Sequence, residues 1–179
     1  EIDKKTITTL MSKPLRRFEF LLGKFLGLSL TLLVMFALMT VFFQAYLLLL
    51  GGGLNARVFL AALYIFLEMV LLTSVAILFS TFSTPILASL FSLSFFLIGH
   101  FSRGLQTLIS KVPPGFSRTG LRMLYLVLPD LENFNFKTEV VHGLPLPAPL
   151  LLNSAAYGLF YTLLILALAV AVFRRRDFI

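Results

Sequence analysis

EIDKKTITTLMSKPLRRFEFLLGK, residues Glu1 to Lys24, runs without a linker into FLGLSLTLLVMFALMTVFFQAYLLLL, residues Phe25 to Leu50. The first stretch is charged and amphipathic; the second holds no charged residue at all. About 20 helical residues cross a hydrocarbon core about 30 Å thick, so Phe25–Leu50 is long enough to span one with tilt. A polar helix fused directly to a membrane span is a junction between water and bilayer, through which a soluble partner can pass force to the membrane.

Three further stretches read as spans. They are Val58–Ser80, interrupted only by Glu68, Thr81–Phe101, with Pro85 near its start, and Leu150–Phe173. Lipid offers no hydrogen-bond partner to a bare backbone, so each span is expected to be a helix. The sequence thus predicts an all-α membrane protein with four transmembrane helices and an N-terminal amphipathic cytoplasmic helix. Composition agrees. With 59% of 179 residues hydrophobic and only 13% charged, and a mean hydropathy of +0.97, the chain cannot cover a soluble domain of this size with polar surface. The absence of cysteine excludes disulfides and thiolate metal sites. The net charge of +7 sits mainly beside apolar runs, which marks anchoring at a lipid surface rather than nucleic-acid binding.

The connectors are uneven. Gly51 to Arg57 is a short flexible turn, and Ser80 to Pro85 a tight one, with Pro85 suited to a first helical turn. Ser102 to Pro149 is too long for an idle loop. Leu105, Leu108, Ile109 and Val112 share a helical face until Pro113-Pro114-Gly115; Leu121, Leu124, Tyr125 and Leu128 repeat the spacing until Pro129. Two short interfacial helices are expected there, followed by an irregular stretch from Asn133 to Pro149. The chain divides into residues 1–24 (docking helix and junction), 25–101 (three spans), 102–149 (extracytoplasmic region) and 150–179 (last span and basic tail).

Four spans leave both termini on one side. Lys4, Lys5, Lys13, Arg16, Arg17 and Lys24 at one end and Arg174, Arg175 and Arg176 at the other are denser than Arg57, Arg103, Lys111, Arg118, Arg122 and Lys137 opposite. Both termini are therefore expected in the cytoplasm, with Lys24, Arg174, Arg175 and Arg176 as topology anchors whose stems lie along the span ends.

In the opening segment Ile7, Leu10 and Met11 share a helical face, with Lys4, Lys5 and Thr8 toward the other side. Pro14 breaks the helix and suits the first turn of the next; Arg16 and Glu19 are spaced to pair. The pattern admits a helix resting on anionic lipid headgroups or a docking helix for a cytoplasmic partner. Glu68, at the middle of a span, must face protein or water. Either it meets substrate or a proton in the interior, or it is a protonated acid bonded to Tyr64 one turn away or to a backbone carbonyl. Gly23 and Gly27 have the spacing that lets helices approach closely. His100 and His142 lack companions at ligand spacing, so no metal site is expected, and His100 reads as an interface residue at a span end. There is no Gly-x-x-x-x-Gly-Lys-Ser/Thr loop, so the chain should not bind ATP. Without His-Glu-x-x-His or Gly-x-Ser-x-Gly, catalysis in this chain is not expected.

The opening segment resembles the region before a span in the type-two ABC-transporter permeases, including those associated with copper-enzyme maturation. The matching positions are Glu1, Thr6, Leu10, Ser12, Lys13, Pro14, Arg17, Glu19, Leu21, Leu22, Gly23 and Lys24. Ile98-Gly99-His100, Pro129 followed by Asn133-Phe134, and the closing Phe173-Arg174-Arg175-Arg176-Asp177-Phe178 resemble the same family, in the same order. Such permeases have six spans, so the resemblance implies that these are the last four and that the chain is N-terminally truncated. It implies a coupling helix over Glu1 to Arg17, seated on a separate ATP-binding subunit. Ile7, Leu10 and Met11 would form its apolar stripe, and Lys13, Arg16, Arg17 and Glu19 its charged rim, on either side of the break at Pro14. It further implies a dimer with a second permease copy, ATP and Mg held only by the partner subunit, and export across the cell membrane. The alternative is a non-transporting scaffold or assembly factor whose N-terminal helix recruits a cytoplasmic partner.

Overall fold

The computed structural model describes residues 17–101 and 129–175, and side chains over 18–101 and 129–174. The described residues form five α-helices and one 3-10 turn. We number the helices α1 (Arg17–Leu49), α2 (Ala56–Phe82), α3 (Pro85–His100), α4 (Lys137–Val141) and α5 (Ala148–Arg175); the 3-10 turn is Leu131–Phe134. Among the described residues, three helices are long and apolar enough to cross a membrane: Phe18–Leu49, Ala56–Phe82 and Ala148–Arg174. The fourth apolar helix, α3, has 16 residues. At 1.5 Å per residue it reaches about 24 Å, short of a hydrocarbon core of about 30 Å.

Helix α1 begins among charged residues, not at the first uncharged one. Arg17, Glu19 and Lys24 lie within it, because nothing between Arg17 and Leu49 breaks a helix. Its inward side is one stripe: Leu21, Phe25, Thr40 and Gln44 are buried, and Ser29, Leu32 and Phe36 half-buried. These spacings of three and four follow the helical repeat. The remainder of α1 is exposed apolar surface. Gly23 and Gly27 do not provide the close approach their spacing suggests: a Cβ at either would meet nothing within 4 Å.

The connection to α2 turns through Gly51 and Gly53, both at positive φ, which glycine adopts without strain. Asn55 caps α2, its side chain accepting from the Arg57 backbone N–H at 3.0 Å. The next turn is tighter than the expected Ser80–Pro85. Helix α2 continues to Phe82, Ser83 and Thr84 are extended, and Pro85 opens α3. The third apolar stretch therefore loses its first four residues to α2 or the turn, which is why α3 is short.

Helix α2 is the centre of the bundle, packing on α1, α3 and most extensively on α5. Its serine and threonine hydroxyls at Thr73, Ser74 and Thr81 are satisfied within the helix. Thr73 donates to the Met69 carbonyl at 2.7 Å, Ser74 to Leu71 at 2.6 Å and Thr81 to Leu78 at 2.7 Å, so polar side chains coexist with an apolar surround.

Two apolar clusters hold these helices. The first joins Leu21 and Phe25 of α1, Ile77 of α2, and Leu166 and Ala169 of α5. It lies where α1 begins and α5 ends. The second joins Tyr64, Leu71 and Val75 of α2, Ile165 of α5, and Leu131, Phe134 and Phe136. Its last three residues come from the stretch around the 3-10 turn, not from a long helix. The segment expected to be irregular thus contains two ordered pieces, the 3-10 turn and α4. The turn is fixed by Asp130, whose side chain accepts from the Glu132 N–H at 3.2 Å. Helix α4 ends at Gly143, at positive φ, with the Leu144 N–H donating to the Glu139 carbonyl at 2.9 Å, the glycine-terminated helix end.

Candidate functional site

Residues Pro129 to Phe136 are inserted among the helices. Pro129, Leu131 and Phe134 are fully buried, and Phe136 nearly so. Two glycines make the room. At Gly99, the penultimate residue of α3, a Cβ would lie 2.7 Å from the Leu131 side chain and 3.2 Å from the Pro129 carbonyl oxygen; at Gly158 of α5 it would lie 2.7 Å from the Phe134 ring. Gly158 is ten residues into α5, about 15 Å along its axis, so the insertion reaches well into the bundle. Non-helical backbone at such depth must be paired by protein, and it is. The Asp130 N–H donates to the Tyr157 hydroxyl at 2.9 Å, the Asn135 N–H to the Glu132 carbonyl at 3.1 Å and the Phe136 N–H to the Phe134 carbonyl at 3.2 Å.

At this level lies the chain's one charged residue in the middle of a span. Glu68 is 4% exposed, twelve residues and about 18 Å from the start of α2. Helix α3 ends here, and its last residue, His100, places Nε2 3.4 Å from Glu68 Oε1. That is an ion-pair separation, longer than a charge-assisted hydrogen bond. Glu68 Oε1 and His100 Nδ1 are both buried without a hydrogen-bond partner among the described residues. The His100 ring lies against Phe96 at 4.5 Å between centroids, which fixes its position at the helix end. Glu132 and Lys137 are within electrostatic reach of Glu68, and the Asn135 side-chain amide donates to Glu132 Oε1 at 3.2 Å.

The expected partner of Glu68 is engaged elsewhere. Tyr64 sends its hydroxyl to the Leu151 carbonyl at 2.7 Å and its ring edge-on to Phe136 at 4.7 Å. It therefore binds α2 to the start of α5 and to the inserted segment. His100 is not an interface residue standing alone but the group facing Glu68. Thirty-two positions separate the two in the chain, and no local spacing brings them together. What unites them is the turn at Ser83–Thr84 and the stop of α3. Gly158 and Tyr157 were equally unmarked, since only the burial of Phe134 and Asp130 gives them their roles.

The docking candidates fall largely on the segment before α1. Ile7, Leu10, Met11, Lys13, Pro14 and Arg16, and the side chain of Arg17, lie outside the described residues, as do the expected interfacial helices, Arg176 and the Arg175 side chain. Glu19 occupies the first turn of α1; Lys24 and Arg174 are exposed. His142 is exposed beside the end of α4. A groove of about 290 Å3 between α1, α2 and α4 is lined by Phe36, Met39, Phe43, Ile65 and Val141, with Lys137 at its edge. Nothing in it converges as a catalytic group would.

The sequence matches a known family over nearly its whole length: the sequence model for ABC-2 family transporter proteins covers residues 1–178. The chain belongs to that family. It is a multi-pass membrane permease of an ABC transporter, a class that works with an ATP-binding subunit. No curated protein and no solved structure shows a significant match to it.

Proposed function

We propose that this permease moves its substrate outward across the cell membrane, driven by a separate ATP-binding subunit that docks on Glu1 to Arg17. The single observation that carries this reading is the family match, which includes the opening segment as well as the spans. The cluster of Leu21 and Phe25 with Leu166 and Ala169 supports it mechanically. A push on the segment before α1 meets a helix that is continuous from Arg17 and packed on the last turns of α5. A rigid junction of this kind transmits displacement instead of absorbing it.

In this reading the helices make four crossings, α3 being the third, and both termini are cytoplasmic. Residues 102–149 form an outer cap, and a second permease copy completes the pathway. ATP and Mg are held by the partner subunit and this chain catalyses nothing. Ile7, Leu10 and Met11 fill a groove on the ATPase, with Lys13, Arg16, Arg17 and Glu19 at the rim setting register.

The test is charge reversal at Arg16 and Arg17 together, in the full-length protein expressed with its ATP-binding subunit. The variant is expected to insert normally, to lose co-purification with that subunit and to stop stimulating its ATP hydrolysis. Normal binding and normal stimulation by the double variant would remove the docking assignment.

A further inference from the structure

We infer that Glu68 and His100 form a binding site for a single proton, which latches the end of α3 and the inserted Pro129–Phe136 segment onto the middle of α2. The inference goes beyond the docking reading and does not depend on it.

The argument begins with charge. Glu68 is 4% exposed at mid-span, where an uncompensated carboxylate is expensive. Its nearest ionisable neighbour, His100 at 3.4 Å, is the one type of side chain that ordinarily gains and loses a proton near neutrality. The pair is electrically neutral only when it holds one proton, either as carboxylate and imidazolium or as carboxylic acid and imidazole. With none it leaves a bare carboxylate in an apolar interior; with two it leaves a bare imidazolium.

Among the described residues, His100 is the strongest charge partner of Glu68. From the 3-10 turn comes Glu132 and from α4 comes Lys137, which act on Glu68 with opposite signs and each less strongly than His100. Helix α5 contributes Tyr157 and Tyr161 to this region, and Tyr157 accepts from the Asp130 N–H. Helix α2 adds Tyr64, which donates to Leu151. The charged residues of α1 are Arg17, Glu19 and Lys24, all at its opposite end. Among the described residues no group of three ligand-type side chains is placed to hold a metal ion. The proton is the ligand this pair is built for: Glu68 Oε1, which has no hydrogen-bond partner among the described residues, faces His100 Nε2, and the proton is held between the two.

The latch follows from what the pair joins. His100 closes α3, its neighbour Gly99 abuts Leu131 and Pro129, and Phe136 abuts Tyr64, one turn from Glu68. Separating the pair lets α3's end and the insertion leave α2 together.

The sign is set by proton counting. Docked, the pair holds one proton. Released into water at alkaline pH, it holds none, so rising pH favours release. The released-to-docked ratio climbs by up to about tenfold per pH unit. In acid the released pair holds two protons and release is again favoured. Between the ordinary ranges of a free carboxyl and a free imidazole both states hold one, and the ratio is flat.

The sequence has no cysteine, which makes the measurement direct. In the full-length protein in membranes, the rate of labelling by a water-soluble maleimide is compared between Asn135→Cys, at a half-buried position, and Asn133→Cys, at an exposed one. The ratio of the two rates corrects for the thiol's own pH dependence. Otherwise native protein should show a flat ratio in mildly acidic buffer, between the ordinary carboxyl and imidazole ranges, and a rise from neutrality upward. Glu68→Gln, which carries no charge, should abolish that rise. His100→Gln should move the rise to lower pH, because Glu68 must then hold its proton unaided. A ratio that ignores pH in the native background overturns the site, as does an equal alkaline rise with Glu68→Gln. If Glu68→Gln fails to insert, a His100→Gln profile superimposable on the native one overturns it. No ATPase or transport measurement enters, so failure of the docking assignment leaves this result standing, and the reverse.

Discussion

The two clusters that hold this bundle are built on different principles. The one at the start of α1 is made of helical residues only: Leu21, Phe25, Ile77, Leu166 and Ala169, meeting as stripes at spacings of three and four. The one around Phe134 takes three of its seven buried members from non-helical or barely helical chain, and lies beside a buried carboxylate and a histidine. In lipid, apolar helices gain little from leaving the solvent, so packing and hydrogen bonds decide association. The first cluster needs only shape. The second must also pair every exposed amide and balance a charge, so it has more ways to come apart. In the reading proposed above, the first cluster carries motion and the second changes state.

The comparison can be broken at its largest point with Phe134→Ala, set against Leu166→Ala. Emptying a fully buried phenylalanine site costs about 3–5 kcal/mol in measured cores. The Phe134 variant is expected to lose thermal stability in detergent and to label readily at Asn135→Cys. Leu166→Ala should cost less, about 2 kcal/mol, the low end of such substitutions, because lipid can take up apolar surface. It should leave labelling at Asn135→Cys unchanged. Equal labelling in the two variants would mean the clusters are one cooperative unit. Gly158→Ala should have a smaller effect. Its Cβ would lie 2.7 Å from a fully buried ring, and overpacking of this kind costs about 1–3 kcal/mol, read as a lower melting temperature and raised labelling of the insertion. The smallest effect is expected from Gly27→Ala, whose Cβ meets nothing within 4 Å. Stability should move by no more than about 0.5 kcal/mol. A large loss there, confined to the assembled transporter, would place another helix against that face.

The legible part of the structure was whatever depends on local pattern. Three spans, the turn before α2, the proline at the start of α3 and the membrane class all follow from apolar run length and turn chemistry. The ordered motifs pointed to the family that the match over residues 1–178 then established. Less legible was the length of α3, since Ser80, Thr81 and Phe82 continue α2, the hydroxyls returning to backbone carbonyls. Ser80 and Thr81 do this, donating to Ile77 at 2.8 Å and Leu78 at 2.7 Å. Least legible was the Glu68–His100 pair. Glu68 announced itself by cost, but its partner is set by where α3 stops. The glycine spacing at Gly23 and Gly27 drew attention, whereas the glycines that admit close approach are Gly99 and Gly158, which share no spacing because they face an inserted turn rather than a helix. The docking residues before Arg17 lie outside the described region and rest on pattern and family alone.

Helix α1 has one further property. It is gripped near its beginning, through Leu21 and Phe25. Near its other end Gln44 Nε2 donates to the Asn55 carbonyl at 3.0 Å, a group on the connection that α1 itself leads into. Between those points Phe36 meets Phe66 of α2 edge-on at 6.3 Å and Thr40 is buried, so the helix is held along about 35 Å from Leu21 to Gln44. A rod held along its length slides more readily than it tilts. A push at its first turn would therefore reach the Gly51–Asn55 connection, whose glycines at positive φ can take up the stroke.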